Sequence, residues 1–144
     1  MGLTISCKKT GSSIDLPYGG FAVLRETVAA LHSEEFGAFY RTLREPPHEQ
    51  EQRVKFYNDF AEKVNEMLQN RKIPAAIANL CMQSDCDGYL TPRDCKVILK
   101  TLSKDPDLEK MKIGYQGRSD CATLGDFRKL LEGAVETKSR LVWH

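Results

Sequence analysis

The sequence predicts a mainly α, α+β fold: five or six helices backed by a small antiparallel sheet, built from an amino-terminal hairpin and a candidate carboxy-terminal strand. Three observations carry this reading. The first sixteen residues alternate apolar and polar, the stretch from Phe21 to Leu102 repeats its apolar residues at three- and four-residue steps, and the chain ends on the short apolar run Leu141-Val142-Trp143. With 144 residues the chain has the usual size of one domain, taken as 1–144. A chain of this length buries roughly two-thirds of its unfolded surface, enough for a core without staples.

Leu3, Ile5 and Cys7 share one side of the first strand, and Thr4, Ser6 and Lys8 the other. Lys9-Thr10-Gly11-Ser12 supplies turn chemistry, Ile14 and Leu16 resume the apolar side, and the hairpin stops at Pro17 before a flexible Gly19-Gly20. Phe21, Leu24, Val28 and Leu31 mark an amphipathic helix over 20–32. Ser33 caps a short helix bearing Phe36, Tyr40 and Leu43, which Pro46-Pro47 ends. The longest helix spans Glu49 to Lys72, with a buried stripe of Val54, Tyr57, Ala61, Val64 and Leu68. Its five acidic and five basic residues form a mixed, wet face. Pro74 opens a helix carrying Ile77 and Leu80. A further helix runs from Thr91 to Leu102, burying Val97, Ile98 and Leu102. Residues 103–122 are polar, with Ile113-Gly114-Tyr115 a short extended piece. Thr123 and Asp126 form a capping box for a last helix that buries Phe127, Leu130, Leu131 and Ala134. Arg140 to His144 is the candidate third strand, expected because a lone hairpin is marginal in water.

The formal charge of +1 excludes a nucleic-acid binder that relies on a strong overall positive field. No apolar run reaches the roughly 18 residues that cross a bilayer. Five cysteines, an odd number, without an apolar leader, point to reduced thiols in a cytoplasm. Met1-Gly2-Leu3-Thr4-Ile5-Ser6 fits a myristoylation pattern, but the strand alternation claims the same residues and is preferred.

The segment from Cys81 to Cys95 is where chemistry is closest to the surface of the sequence. Laid over a calcium loop at 83–94, with Gly88 at the sixth position, Asp85 and Asp87 take the third and fifth positions. Tyr89 offers its carbonyl and Asp94 takes the last position. These four are the candidate ligands of a calcium-responsive reading. Gln83 replaces the usual first aspartate, and Asp94 is shorter than the usual glutamate, so the site is degenerate. The preferred reading needs no metal: Asp85 or Asp87 makes an Asx-turn, Gly88 takes positive φ, Thr91 caps the next helix, Pro92 fits its first turn, and Asp94 completes a capping box.

Cys81, Cys86, Cys95 and Cys121 lack the two-residue knuckle of structural zinc, and Cys81 and Cys95 are read as buried apolar groups. An enzyme reading would pair Cys86 or Cys121 with His32, His48 or His144, a contact that spacing does not supply. No phosphate-binding glycine loop, metalloprotease histidine pair or nucleophile elbow is present, so no catalytic or cofactor-binding residue is assigned. Exposed aromatics would mark a binding surface; Tyr18, Phe39, Phe56 and Trp143 are the candidates, and each is read as core or near-core packing.

Gly2-Leu3-Thr4-Ile5-Ser6-Cys7-Lys8-Lys9-Thr10-Gly11, Tyr18-Gly19-Gly20-Phe21, Leu24-Arg25 and the two Ser-Asp-Cys triplets at 84–86 and 119–121 resemble uncharacterised small proteins carried by phages and prophages of Gram-positive bacteria. The resemblance implies a bacterial cytoplasm and no assigned reaction. The expectation is a small accessory or interaction protein with a protein partner, no catalytic site and no cofactor. A metal-responsive module and a Cys/His enzyme stand as alternatives.

Overall fold

A computed structural model describes residues 1–144. Strand β1 (Gly2–Cys7) and β2 (Ser13–Pro17) form the hairpin. Helices α1 (Tyr18–His32), α2 (Glu34–Arg41), α3 (Gln50–Gln69) and α4 (Ala75–Met82) follow, with a short 3-10 turn at Thr42–Arg44 after α2. A brief strand β3 (Gly88–Leu90) then leads into α5 (Pro92–Leu102), a 3-10 turn at Pro106–Lys110, α6 (Leu124–Thr137) and strand β4 (Leu141–Trp143). The fold is the mainly α, α+β one: six helices and a four-stranded antiparallel sheet.

The sheet order is β2-β1-β4-β3, which places the carboxy-terminal strand inside the sheet. β4 pairs with β1 through Ile5↔Trp143 and Cys7↔Leu141 and with β3 through Gly88↔Trp143 and Leu90↔Leu141. Strand β3 departs from the expected hairpin plus one strand, because three residues between a turn and a helix cap leave too short a period-two signal to read. In the hairpin Leu3 faces Leu16 and Ile5 faces Ile14. The inner face of the sheet, Leu3, Ile5, Cys7, Leu16, Leu90, Leu141 and Trp143, is buried. It belongs to one continuous apolar cluster of 32 residues, in which Phe21 of α1 tilts against the Trp143 indole at 5.5 Å between ring centres.

The helix caps follow the local sequence. Ser33 accepts the Phe36 N–H at 3.1 Å, and both Thr91/Asp94 and Thr123/Asp126 form reciprocal capping boxes. Gly19-Gly20 is not a flexible link: α1 begins at Tyr18. Gly20 is there for space, since a Cβ would lie 1.8 Å from the Ile113 carbonyl oxygen. Ile113 itself is buried, and its N–H and that of Gly114 both reach the Ala122 carbonyl.

The largest departure from expectation lies on α3. Its buried residues are Phe60, Val64 and Met67, whereas Val54 and Tyr57 are 50% and 42% exposed, and Ala61 is exposed as well. α3 carries two adjoining apolar stripes, and the body covers the one centred on Phe60, which stacks on Phe39 of α2 at 4.4 Å. The other stripe, which the spacing made the buried one, is left open over the first half of the helix. Of the weighed aromatics, Trp143 is fully buried, Tyr18 and Phe39 pack against the core, and Phe56 is half-buried beside Tyr57.

Phe60→Ala is therefore expected to lower stability by about 3 kcal/mol, the cost of emptying a packed aromatic site, while Tyr57→Ala stays within about 0.5 kcal/mol. Equilibrium unfolding in urea distinguishes the two.

Candidate functional site

Two regions stand out: the loop between α4 and α5, and the open face of α3. The loop begins where α4 leaves carbonyls without helical partners. Three side chains from distant elements take them up. Tyr40 of α2 donates its hydroxyl to the Cys81 carbonyl at 3.3 Å. Arg25 of α1 donates to the Gln83 carbonyl at 2.6 Å and to that of Ser84 at 3.5 Å. The Trp143 indole N–H of β4 donates to the Ser84 carbonyl at 2.9 Å. Arg25 is only 8% exposed. Its guanidinium lies 4.2 Å over the Phe21 ring, and its Nε is buried without a hydrogen-bond partner. A cation at the carboxyl end of a helix is favoured by the dipole, and here it is also the bolt between α1 and the loop.

Gln83 organises the rest. Its side-chain NH2 donates to the Asn79 carbonyl at 2.9 Å and to the Tyr89 carbonyl at 2.5 Å. Its side-chain oxygen accepts the Tyr89 N–H at 3.1 Å. The Tyr89 carbonyl is the oxygen that a calcium loop would turn toward its ion; a neutral amide holds it here. Asp94 is buried and committed: Oδ2 accepts from the Thr91 N–H at 3.1 Å and from Asn79 Nδ2 at 3.2 Å. Asn79 thus clamps α4 to α5 across the loop. Asp85 and Asp87 are exposed at the tip.

The four candidate calcium ligands are accordingly not brought into one cage, and no three His, Cys, Asp or Glu side chains converge anywhere in the chain. In this arrangement the Tyr89 carbonyl is engaged by the Gln83 amide and Asp94 Oδ2 by the helix start and Asn79.

The expected Asx-turn is replaced by Ser84, whose Oγ accepts the Cys86 N–H at 3.3 Å. Nor does Gly88 take positive φ, which among the glycines is confined to Gly11 and Gly117. Gly88 is needed for closeness instead: a Cβ would stand 2.3 Å from Trp143 Cζ2. The cap made by Thr91, Pro92 and Asp94 is as read from the sequence. Arg25, Gln83 and Trp143, which build the loop, were missed. Their partners are backbone carbonyls 58, 6 and 59 residues away, and no side-chain pattern records such contacts. The unexpected Gln at the first loop position was the available signal.

The thiols divide by depth. Cys7, Cys81 and Cys95 are buried, Cys121 is half-buried and Cys86 is exposed. Burial pushes the Cys81 and Cys95 thiols up to about 12. At Cys7 burial also works upward, but hydrogen bonds from Thr10, Ser139 and Thr137 outweigh it and the thiol sits below its ordinary value. Cys86 Sγ contacts Ser84 Oγ at 3.2 Å. His32 Nε2 meets the Lys72 carbonyl at 3.0 Å, and the His144 backbone pairs with Thr4. The Cys–His contacts that an enzyme reading requires are not among these.

The open face of α3 presents Val54, Tyr57 and Ala61. It runs toward a hollow of about 650 Å³ lined by Leu68, Ile73, Pro74 and Ala75 with His32, Arg71 and Lys72 at its edge. No helix of the chain is long and apolar enough to cross a membrane. Comparison with protein-family models, with curated proteins and with solved structures found no match.

Arg25→Met should cost about 2–3 kcal/mol, because it strips a charged donor from buried carbonyls, and should speed hydrogen exchange at the Tyr89 amide. The thiols give a pH dependence. Between about pH 9 and 12 the unfolded chain loses the Cys81 and Cys95 protons that the folded chain retains, so stability falls as pH rises. Each group adds a slope of up to about 1.4 kcal/mol per pH unit. Because Cys7 shifts the other way, the effect is read as the difference between the native chain and the Cys81→Ala/Cys95→Ala variant, whose stability should fall less steeply over that range.

Proposed function

We propose that this chain is a small accessory protein that works by binding another protein chain, with the outer face of α3 as its contact surface. The observation that carries this reading is the exposure of Val54 and Tyr57 on a helix whose neighbouring stripe is already spent on the core. A surface helix needs one covered apolar stripe; a second stripe, kept apolar and left open, costs solubility unless something covers it. Helices laid face to face are a common mode of protein recognition, read as anchors three and four residues apart. The resemblance of the chain's opening and of its Ser-Asp-Cys triplets to phage and prophage proteins supports a bacterial cytoplasm as the setting. The loop at 83–91 contributes by rigidity, since its bonds are directed inward to the fold.

Tyr57→Glu tests the reading. Placed on an exposed position, it is expected to leave the melting temperature within a few degrees of the native value. It should also abolish stable association with the protein that co-purifies with the tagged native chain from its host. Retention of the same partner at full yield by Tyr57→Glu and by Val54→Asp would refute the assignment of this face.

A further inference from the structure

The geometry points to a second copy of this chain as the occupant of the open α3 face, docked antiparallel about a two-fold axis; this deepens the reading of α3 as a contact surface and rests on it. Val54, Tyr57, Ala61, Val64 and Leu68 step by three, four, three and four residues, the repeat that lets two helices pack side by side along a seam. The body covers Val64, half covers Leu68 and leaves the others open. Antiparallel docking sets the large Tyr57 of one copy against the small Ala61 of the other, so the layer is filled without crowding. The residues flanking the seam on its open side, Asn58 and Asn65, are uncharged, so no like charges are driven together along it.

The ends of the helix supply the direction. Exposed Glu49 and Glu51 stand at the start of α3, and exposed Arg71 and Lys72 follow its end. Antiparallel docking brings the carboxylates of each copy to the cations of the other, twice by symmetry. Parallel docking would set Glu49 and Glu51 of the two copies together and Arg71 and Lys72 together, a repulsion that exposed Arg53 and Lys55 offset only in part at the start of the helix. Arg71 has no carboxylate within ion-pair distance, and Lys72 has only a long contact of 3.8 Å to exposed Glu35.

The backbone fixes where Arg71 leaves the helix. α3 ends in a Schellman turn, with the Lys72 N–H on the Met67 carbonyl at 2.8 Å and the Arg71 N–H on that of Leu68 at 3.1 Å. Arg71 sits at its left-handed position with φ 57, where glycine is the usual residue.

One helix face per copy makes a small interface, below about 1,200 Å² in total, so the dimer is weak and dependent on concentration. Sedimentation equilibrium of the pure full chain, from micromolar to millimolar concentration, is expected to show a monomer–dimer equilibrium. Tyr57→Glu should weaken it by at least about tenfold. Glu49→Lys/Glu51→Lys and Arg71→Glu/Lys72→Glu should each weaken it by roughly fivefold. An equimolar mixture of the two charge variants should recover heterodimer at close to the native affinity, a rescue that mere unfolding cannot produce. Carbodiimide coupling of mixed light- and heavy-isotope copies should join Glu49 or Glu51 of one copy to Lys72 of the other. A monomer at every concentration overturns the inference; if Tyr57→Glu still loses the host partner, the proposed function stands without it. A dimer that ignores the charge variants, or one indifferent to Tyr57→Glu, also overturns it.

Discussion

The buried guanidinium of Arg25 is the interaction on which the organisation of this molecule depends. It has no carboxylate partner. Its charge is spread over the Phe21 ring and spent on two carbonyls at the end of α4, with one nitrogen left unsatisfied. An unpaired buried charge is costly, and here it is set among donors from three elements that converge on the carbonyls of Cys81, Gln83 and Ser84. Tyr40 comes from α2, Arg25 from α1 and Trp143 from β4. The loop between α4 and α5 is therefore tied to both the helical layer and the sheet, and β3 can add to β4 only while the loop is held in that place.

The same loop shows how near a cation site and a hydrogen-bonded turn lie in sequence. Gly88 and Asp94 serve in both, whereas Asp85 and Asp87 stand exposed and Ser84 makes the turn. The difference is made by Gln83, whose amide gives and takes a hydrogen bond at Tyr89, and by Asp94, whose carboxylate serves the helix start. A neutral group thereby meets the same backbone oxygen without a desolvated ion, and the buried positive charge of Arg25 is accommodated beside it. The glycine at 88 is kept for the indole packed against it rather than for a bend.

What could be read from the chain was what is local. The caps at Ser33, Thr91 and Thr123 rest on contacts three residues long, and their residue types name the bond they make. The alternation in β1 and the apolar end at Leu141–Trp143 are local as well, and they placed both strands in the sheet. The stripe on α3 was misplaced for a definable reason. Val54-Tyr57-Ala61-Val64-Leu68 and Phe60-Val64-Met67 both satisfy helical spacing, and periodicity does not say which a body will cover. Aromatic weight was the better guide, since Phe60 finds Phe39 to stack on. The loop's architecture was illegible because its bonds run from side chains to main-chain carbonyls, those from Tyr40, Arg25 and Trp143 across 41 to 59 residues, and residue identity at the acceptor carries no information.

The central position of β4 has a consequence for how the molecule is made. The inner pair of the sheet joins residues 5–7 to residues 141–143, so the polypeptide must be made through residue 143 before the middle of the sheet can close. A growing polypeptide would form its helices early, while β1 waits with one edge unpaired and the Arg25 cluster lacks the indole that completes it. Closing so long a loop carries a large entropic cost and slows folding. The pairing of Leu141–Trp143 with β1 thus becomes the step at which a loose set of helices acquires a defined interior, and a deletion of only these three residues would strike the centre of the structure rather than its margin.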